Sequence, residues 1–192
     1  MSVEHKQKFK LIFILGLLTS IGPFSVDMYL PAFNRIAVDL NTSISNVMYS
    51  LSTYFIGISF GQLIYGPLLE RFGRKKPIYF GLVIYLMASL GCIVAFNVDM
   101  LITMRFFQAI GGCVGMVAAR AMVRDLFPPT EFAKIFSSLM LIVAVSPILA
   151  PTFGGYVTAF LGWHYVFVFL FILVSAIFVA VYYLLTQSRT PD

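Results

Sequence analysis

Six apolar runs, each long enough to cross a bilayer, take up most of this chain, at about residues 10 to 33, 46 to 70, 77 to 97, 100 to 122, 132 to 157 and 164 to 185. Crossing ~30 Å of hydrocarbon as a helix takes ~20 mostly apolar residues, because lipid offers no partner for backbone polar groups and each must be satisfied inside the segment. The runs predict an all-α integral membrane protein, with residues 1 to 192 forming one six-helix membrane domain. Composition agrees: 60% of the residues are hydrophobic and 11% charged, with a mean hydropathy of +0.93, well outside the range of soluble domains.

The cations set an expected topology. Cytoplasmic loops carry the excess of Lys and Arg. With the N-terminus inside, Lys6, Lys8 and Lys10, then Arg71, Arg74, Lys75 and Lys76, then Arg124 and Lys134, and finally Arg189 fall on the inner face. The outer face keeps only Arg35, in a loop. Both termini are therefore expected in the cytoplasm, which requires an even number of crossings. The net charge of +5 does not point to nucleic acid, because the basic residues sit in short runs beside apolar segments rather than along a polar face. A short basic stretch before the first run resembles the start of a signal peptide. No small-residue cleavage site follows it, so a retained first helix is expected. Cys92 and Cys113 lie inside apolar runs, away from any Cys-x-x-Cys or His-rich pattern, and read as packing residues; no disulfide framework, metal site or cofactor is expected. The chain shows no His box and no Ser with a plausible base, so it does not read as an enzyme.

The outer loops at 97 to 99 and 161 to 164 are so short that the helices they join must be antiparallel neighbours. Gly57 with Gly61 and Gly111 with Gly115 place small residues four apart, which lets helix backbones approach closely. Trp163 and His164, at an outer boundary, read as interfacial anchors.

Two residues are costly in hydrocarbon. Asp27 lies in the outward-going part of the first run, and insertion of Asp at a helix centre costs ~2.5–3.5 kcal/mol, so it should face a cavity or a partner, or carry a proton. Thr19 or Ser20, then Pro23, then Asp27 recur at three- and four-residue spacing, a polar stripe with an expected kink that could line a substrate pathway together with Tyr29. Burial penalises the charged form of a carboxyl, which suits Asp27 to exchanging a proton for a substrate. The competing reading is an interfacial Asp that caps the helix end or is wetted by headgroup water. Arg105 is the second costly residue. It shares one stripe of the fourth run with Gln108, which is expected along the substrate pathway, and with Gly112, Gly115 and Ala119; since Arg keeps its charge, its useful role is to pair with a carboxylate. Asp27 is the expected partner. The competing reading is an Arg that snorkels to the outer interface.

Gly66 to Pro77, reading GPLLERFGRKKP, joins the second and third runs. Gly66 is expected to permit close packing and Gly73 a tight turn, with Glu70 at a helix end and Arg74, Lys75 and Lys76 at anionic headgroups. An ordinary positively charged inner loop would explain the cations but not the Glu or the two glycines. In the fifth run Pro147, Pro151, Gly154 and Gly155 interrupt an apolar helix, a pattern that suits a bent helix packed closely on its neighbours.

These segments resemble the major facilitator superfamily, specifically the drug:proton antiporters of the bicyclomycin and chloramphenicol resistance type, over nearly the whole chain. GPLLERFGRKKP resembles the family's loop motif between helices two and three, with Gly66, Gly73, Arg74 and Lys75 in place and Glu70 where Asp is usual. The resemblance implies that this acid and Arg74 help lock the cytoplasmic face, and that Arg74 meets Asp125 of RAMVRDLF. RFFQAIGG is similar to the helix-four motif whose Arg, here Arg105, takes part in proton coupling. PILAPTFGG resembles the antiporter motif of helix five, with Ala150 where Gly is usual. DMYLPA is similar to the first helix of the subfamily, where Asp27 would be the proton-responsive acid. The implied function is export of a small amphipathic compound or antibiotic across the bacterial inner membrane, driven by the proton gradient.

Family members have two six-helix halves with substrate between them. This chain matches the N-terminal half, so a truncated product, a split transporter or a fragment is expected. Its partner would be a second six-helix half or an identical copy, which would insert in the same orientation. Membrane lipid is the other expected contact. An alternative function is a half that transports nothing alone and acts as an assembly partner or remnant.

Overall fold

The computed structural model describes residues 3–184. Its helices are α1 (Val3–Asp27), α2 (Phe33–Asp39), α3 (Ile44–Arg71), α4 (Lys75–Ile93), α5 (Val98–Leu126), α6 (Phe132–Phe160) and α7 (His164–Leu184), with short 3-10 turns at Leu30–Ala32 and Pro129–Glu131. Among the described residues every regular element is helical, and six helices are long and apolar enough to cross a membrane. Each of the six runs read from the sequence falls on one of these spans, with ends that differ by up to several residues. The sixth was expected to reach residue 185, which lies outside the described residues, as does the expected inner-face Arg189.

The chain departs from the expected pattern at the end of the first run. Its continuous helix stops at Asp27, and a turn and the 3-10 segment lead into α2. Arg35 was expected in a loop but lies on α2, where it pairs with Asp39 one helical turn on (3.3 Å, exposed).

Local chemistry sets the other boundaries. The Ser43 hydroxyl caps α3 by accepting from the Asn46 N–H, and the Asn97 side chain caps α5 by accepting from the Met100 N–H at 2.7 Å, supplying partners for otherwise orphaned helix donors. Gly73 takes φ 75°, the left-handed conformation that the tight turn between α3 and α4 requires and that costs a side-chain-bearing residue energy.

Helix α5 is the centre of the bundle. It packs on α3, α4 and α1; α1 in turn holds α6 and α7, and α4 also packs on α7. Lipid tails supply no hydrophobic drive between helices, so small residues that admit close backbone contact do the work. A methyl added at Gly57 would strike the Phe106 carbonyl oxygen (2.6 Å), at Gly61 the Cys113 sulfur, at Gly111 the backbone of Tyr85, and at Gly115 the carbonyl of Leu18. Cys113 thus packs, and Cys92 is likewise buried and free. Helix α6 is the least enclosed span, with 17% of its most apolar window buried against 61% for α5.

Candidate functional site

Arg105 sits ~10 Å along α5 from its first residue and is fully buried. It does not snorkel. Its Nη1 donates to Gln108 Oε1 at 2.6 Å, and its Nη2 donates across to the Ser25 carbonyl of α1 at 3.1 Å. The guanidinium lies over the rings of Tyr54 (4.1 Å), Tyr29 (4.4 Å) and Phe167 (5.8 Å), from α3, the turn after α1, and α7. Desolvated cation–π contacts are worth ~2 kcal/mol or more, which helps offset taking the charge out of water.

The bonds continue outward from this cation. Gln108 Nε2 donates to Ser89 Oγ (2.8 Å), which donates to the Tyr85 carbonyl (2.8 Å). The Ser25 hydroxyl donates to the Ile21 carbonyl, so Tyr85 is the donor in its 2.6 Å bond with Ser25. By the same reasoning Tyr29 donates to Ser50 (2.6 Å), whose hydroxyl donates to Val47. One buried polar network thus ties α1, α3, α4 and α5 together. Arg105 Nε is the one guanidinium donor group in it without a partner. A partly satisfied network of this kind in a low-dielectric interior is costly unless something completes it.

Asp27 is the last residue of α1, half-buried, and two residues beyond the Ser25 carbonyl that Arg105 grips. The expected Asp27–Arg105 ion pair is not formed: among the described residues no ion pair joins them. The carboxylate instead accepts from Ser146 Oγ of α6 at 2.8 Å, and the guanidinium is already occupied by an amide, a carbonyl and three rings. The alternative of an Asp capping its own helix does not hold either, since a helix C-terminus presents carbonyls rather than donors.

Gln108 and Tyr29, expected along a substrate path, are fully buried parts of the Arg105 enclosure, and Pro23 is half-buried inside α1. Pro147 and Pro151 both lie inside α6, which is helical through each; Pro147 is exposed. Gly154 packs against the Met28 carbonyl just past Asp27, and a Cβ at Gly155 would reach Pro31 at an ordinary 3.8 Å.

At the basic end of the bundle, Arg74 meets Asp125: Nη2 to Oδ2 is 2.6 Å and Nε to Oδ2 2.7 Å, with side chains 16% and 18% exposed. This clamps the α3–α4 turn to the end of α5. Glu70 is exposed and joins no ion pair among the described residues, so it stands apart from that clamp. Lys75 opens α4. Gly66 was expected to permit close packing, but a Cβ there would meet nothing within 4 Å; its flank of α3 is open.

At the opposite end, Trp163 was expected as an interfacial anchor and is instead fully buried. Its Nε1 donates to Asp39 at 3.1 Å and its ring stacks on His164. Sequence reasoning missed Ser25, Ser146, Tyr54, Tyr85, Ser89 and Asp39. Tyr54 carried a signal, since it precedes Gly57 and Gly61 on one helical stripe. The serines carried none, because a lone hydroxyl in an apolar helix ordinarily bonds its own backbone. No group of three or more His, Cys, Asp or Glu able to hold a metal occurs among the described residues.

The fold and site define a multi-pass membrane bundle built around one buried cation. The chain belongs to the Major Facilitator Superfamily, whose model matches residues 15–192. It is 42% identical over 84% of its length to "Uncharacterized MFS-type transporter YdgK" of Bacillus subtilis, covering 41% of that protein. It is 37% identical over 85% of its length to "Bicyclomycin resistance protein homolog" of Haemophilus influenzae, again covering 41%. With "Multidrug resistance protein D" of Escherichia coli the identity is 30% over 99% of this chain and 48% of the relative. The chain thus spans less than half the length of these curated relatives.

Proposed function

We propose that this chain is the N-terminal half of a proton-coupled exporter of small amphipathic compounds in the inner membrane, with both termini cytoplasmic. The observation that carries the reading is the position of Arg105: a permanent, fully buried cation gripping α1 two residues from a half-buried carboxylate. Such a cation has no reason to be desolvated for stability alone, and intramembrane charges mark ion and substrate pathways. Protonation of Asp27 would alter the end of α1 that Arg105 holds from one side and α6 from the other, which is how proton entry could be linked to helix movement. Arg74 and Asp125 would close the cytoplasmic face, with the Gly73 turn and Lys75 beside them. The names of relatives, bicyclomycin and multidrug resistance proteins, support a drug-like substrate.

The length comparison favours a second reading, in which this half alone transports nothing and acts as an assembly partner of a second six-helix half or as a remnant. Drug-driven proton movement in inverted vesicles decides between them. Proton efflux from the acidified lumen on adding a cationic dye, lost in Asp27→Asn, supports an autonomous antiporter. Absence of flux from well-inserted protein rules that out and leaves the second half as the missing component.

A further inference from the structure

We infer that Ser146 is a positioning residue for Asp27, fastening the middle of α6 to the end of α1 through its hydroxyl until a proton arrives; this rests on the proton-coupling reading. Hydroxyls in helices ordinarily bond the carbonyl one turn back. On α6 itself Ser138 bonds the Lys134 carbonyl (3.0 Å) and Thr152 the Ile148 carbonyl (3.3 Å), and on α1 Ser25 bonds Ile21. Ser146, fully buried, departs from this pattern: its hydroxyl reaches out to Asp27 Oδ2 at 2.8 Å. The next residue is Pro147, which has no N–H and so leaves the Val143 carbonyl without its helix donor. The bond to Asp27 is therefore made where the backbone ladder of α6 is thinnest.

Helix α6 is held to α1 by close packing on either side of this point, Ile142 against Gly16 and Gly154 against the Met28 carbonyl. Between these two contacts Ser146–Asp27 is a polar tie, while the exposed Lys8–Glu131 pair (3.6 Å) joins α1 to the turn just before α6 at the far end. Other charged and titratable groups lie away from this bond or have partners of their own: Lys8 and Glu131 pair with each other, and Lys134 and Tyr156 lie toward opposite ends of α6. Arg105 of α5 bonds Gln108 and the Ser25 carbonyl, Tyr85 of α4 bonds Ser25, and Tyr29 beyond the end of α1 bonds Ser50. His164 stands at the start of α7 stacked on Trp163, while Asp99 and Asp125 lie toward opposite ends of α5. When a proton adds to Asp27, one O–H bond forms and the carboxylate becomes a neutral acid. It then accepts more weakly, and the Ser146 hydroxyl is free to turn back to the Ile142 carbonyl of its own helix, loosening α6 at Pro147.

The test is pH-difference infrared spectroscopy of the 192-residue chain in nanodiscs, following the carboxylic C=O band that is missing from Asp27→Asn. Removing a donor to the charged form in Ser146→Ala moves the midpoint upward, corresponding to about tenfold tighter proton binding. Ser146→Thr, which keeps the hydroxyl, titrates like the wild type. Should the alanine variant fail to fold, Ser146→Cys, a weak donor, moves the midpoint in the same direction by less. An unmoved midpoint in folded Ser146→Ala, or an equal shift in Ser146→Thr, overturns the positioning role while leaving proton coupling standing. A wild-type chain with no titrating Asp27 band removes both.

Discussion

Two glycine-to-alanine substitutions of the same chemistry should have opposite effects. At Gly115 the added methyl lands on the Leu18 carbonyl oxygen, with the carbonyl carbon at 2.8 Å and the Cα at 3.3 Å. All three are backbone atoms of α1, so no rotamer change relieves the clash, and α1 and α5 must part by roughly 1 Å to restore ordinary contact. Overpacking costs ~1–3 kcal/mol, against a gain of ~0.5–1 kcal/mol from replacing Gly within a helix, for a net loss of up to ~2.5 kcal/mol. At Gly155 the new methyl meets only Pro31 Cβ, at an ordinary 3.8 Å, so only the ~0.5–1 kcal/mol gain remains. Equilibrium unfolding in mixed detergent micelles, followed by fluorescence of the single tryptophan, should separate the two variants by ~1–3 kcal/mol. Equal shifts, or a Gly155→Ala variant less stable than Gly115→Ala, would refute the close-approach reasoning.

Other expectations follow from the same contacts. Arg105→Lys keeps the charge but loses the planar fork that bonds Gln108 and Ser25; insertion should persist while drug-driven proton flux is lost, and flux at the wild-type rate would show that the fork is not needed. A double-mutant cycle of Arg74→Ala with Asp125→Ala should return a coupling of ~1 kcal/mol, at the upper end for exposed pairs because both side chains are largely covered. Asp39→Ala leaves the buried Trp163 N–H without an acceptor, which should cost ~1–3 kcal/mol and change the tryptophan emission. Gly73→Ala should cost ~1–2 kcal/mol, since φ 75° is disfavoured once a Cβ is present.

The helical class and the number of crossings were legible in the sequence because hydrocarbon imposes one rule: each span must satisfy its own backbone, so an apolar run of sufficient length is a helix whatever surrounds it. The Gly73 turn was legible for a similarly local reason, as were the small residues of α5. Arg105 and Asp27 announced themselves as anomalies, because their cost in lipid is a property of the residue type. What each anomaly bonds was not legible. Asp27 and Arg105 looked like natural partners, yet Ser146 and the aromatic cage reach them first, and Trp163 turned inward to Asp39 rather than outward to the interface. Those choices depend on how helices distant in the sequence are rotated and set in depth against one another. The spacing of residues along one helix fixes its faces, but only packing decides which neighbour each face meets.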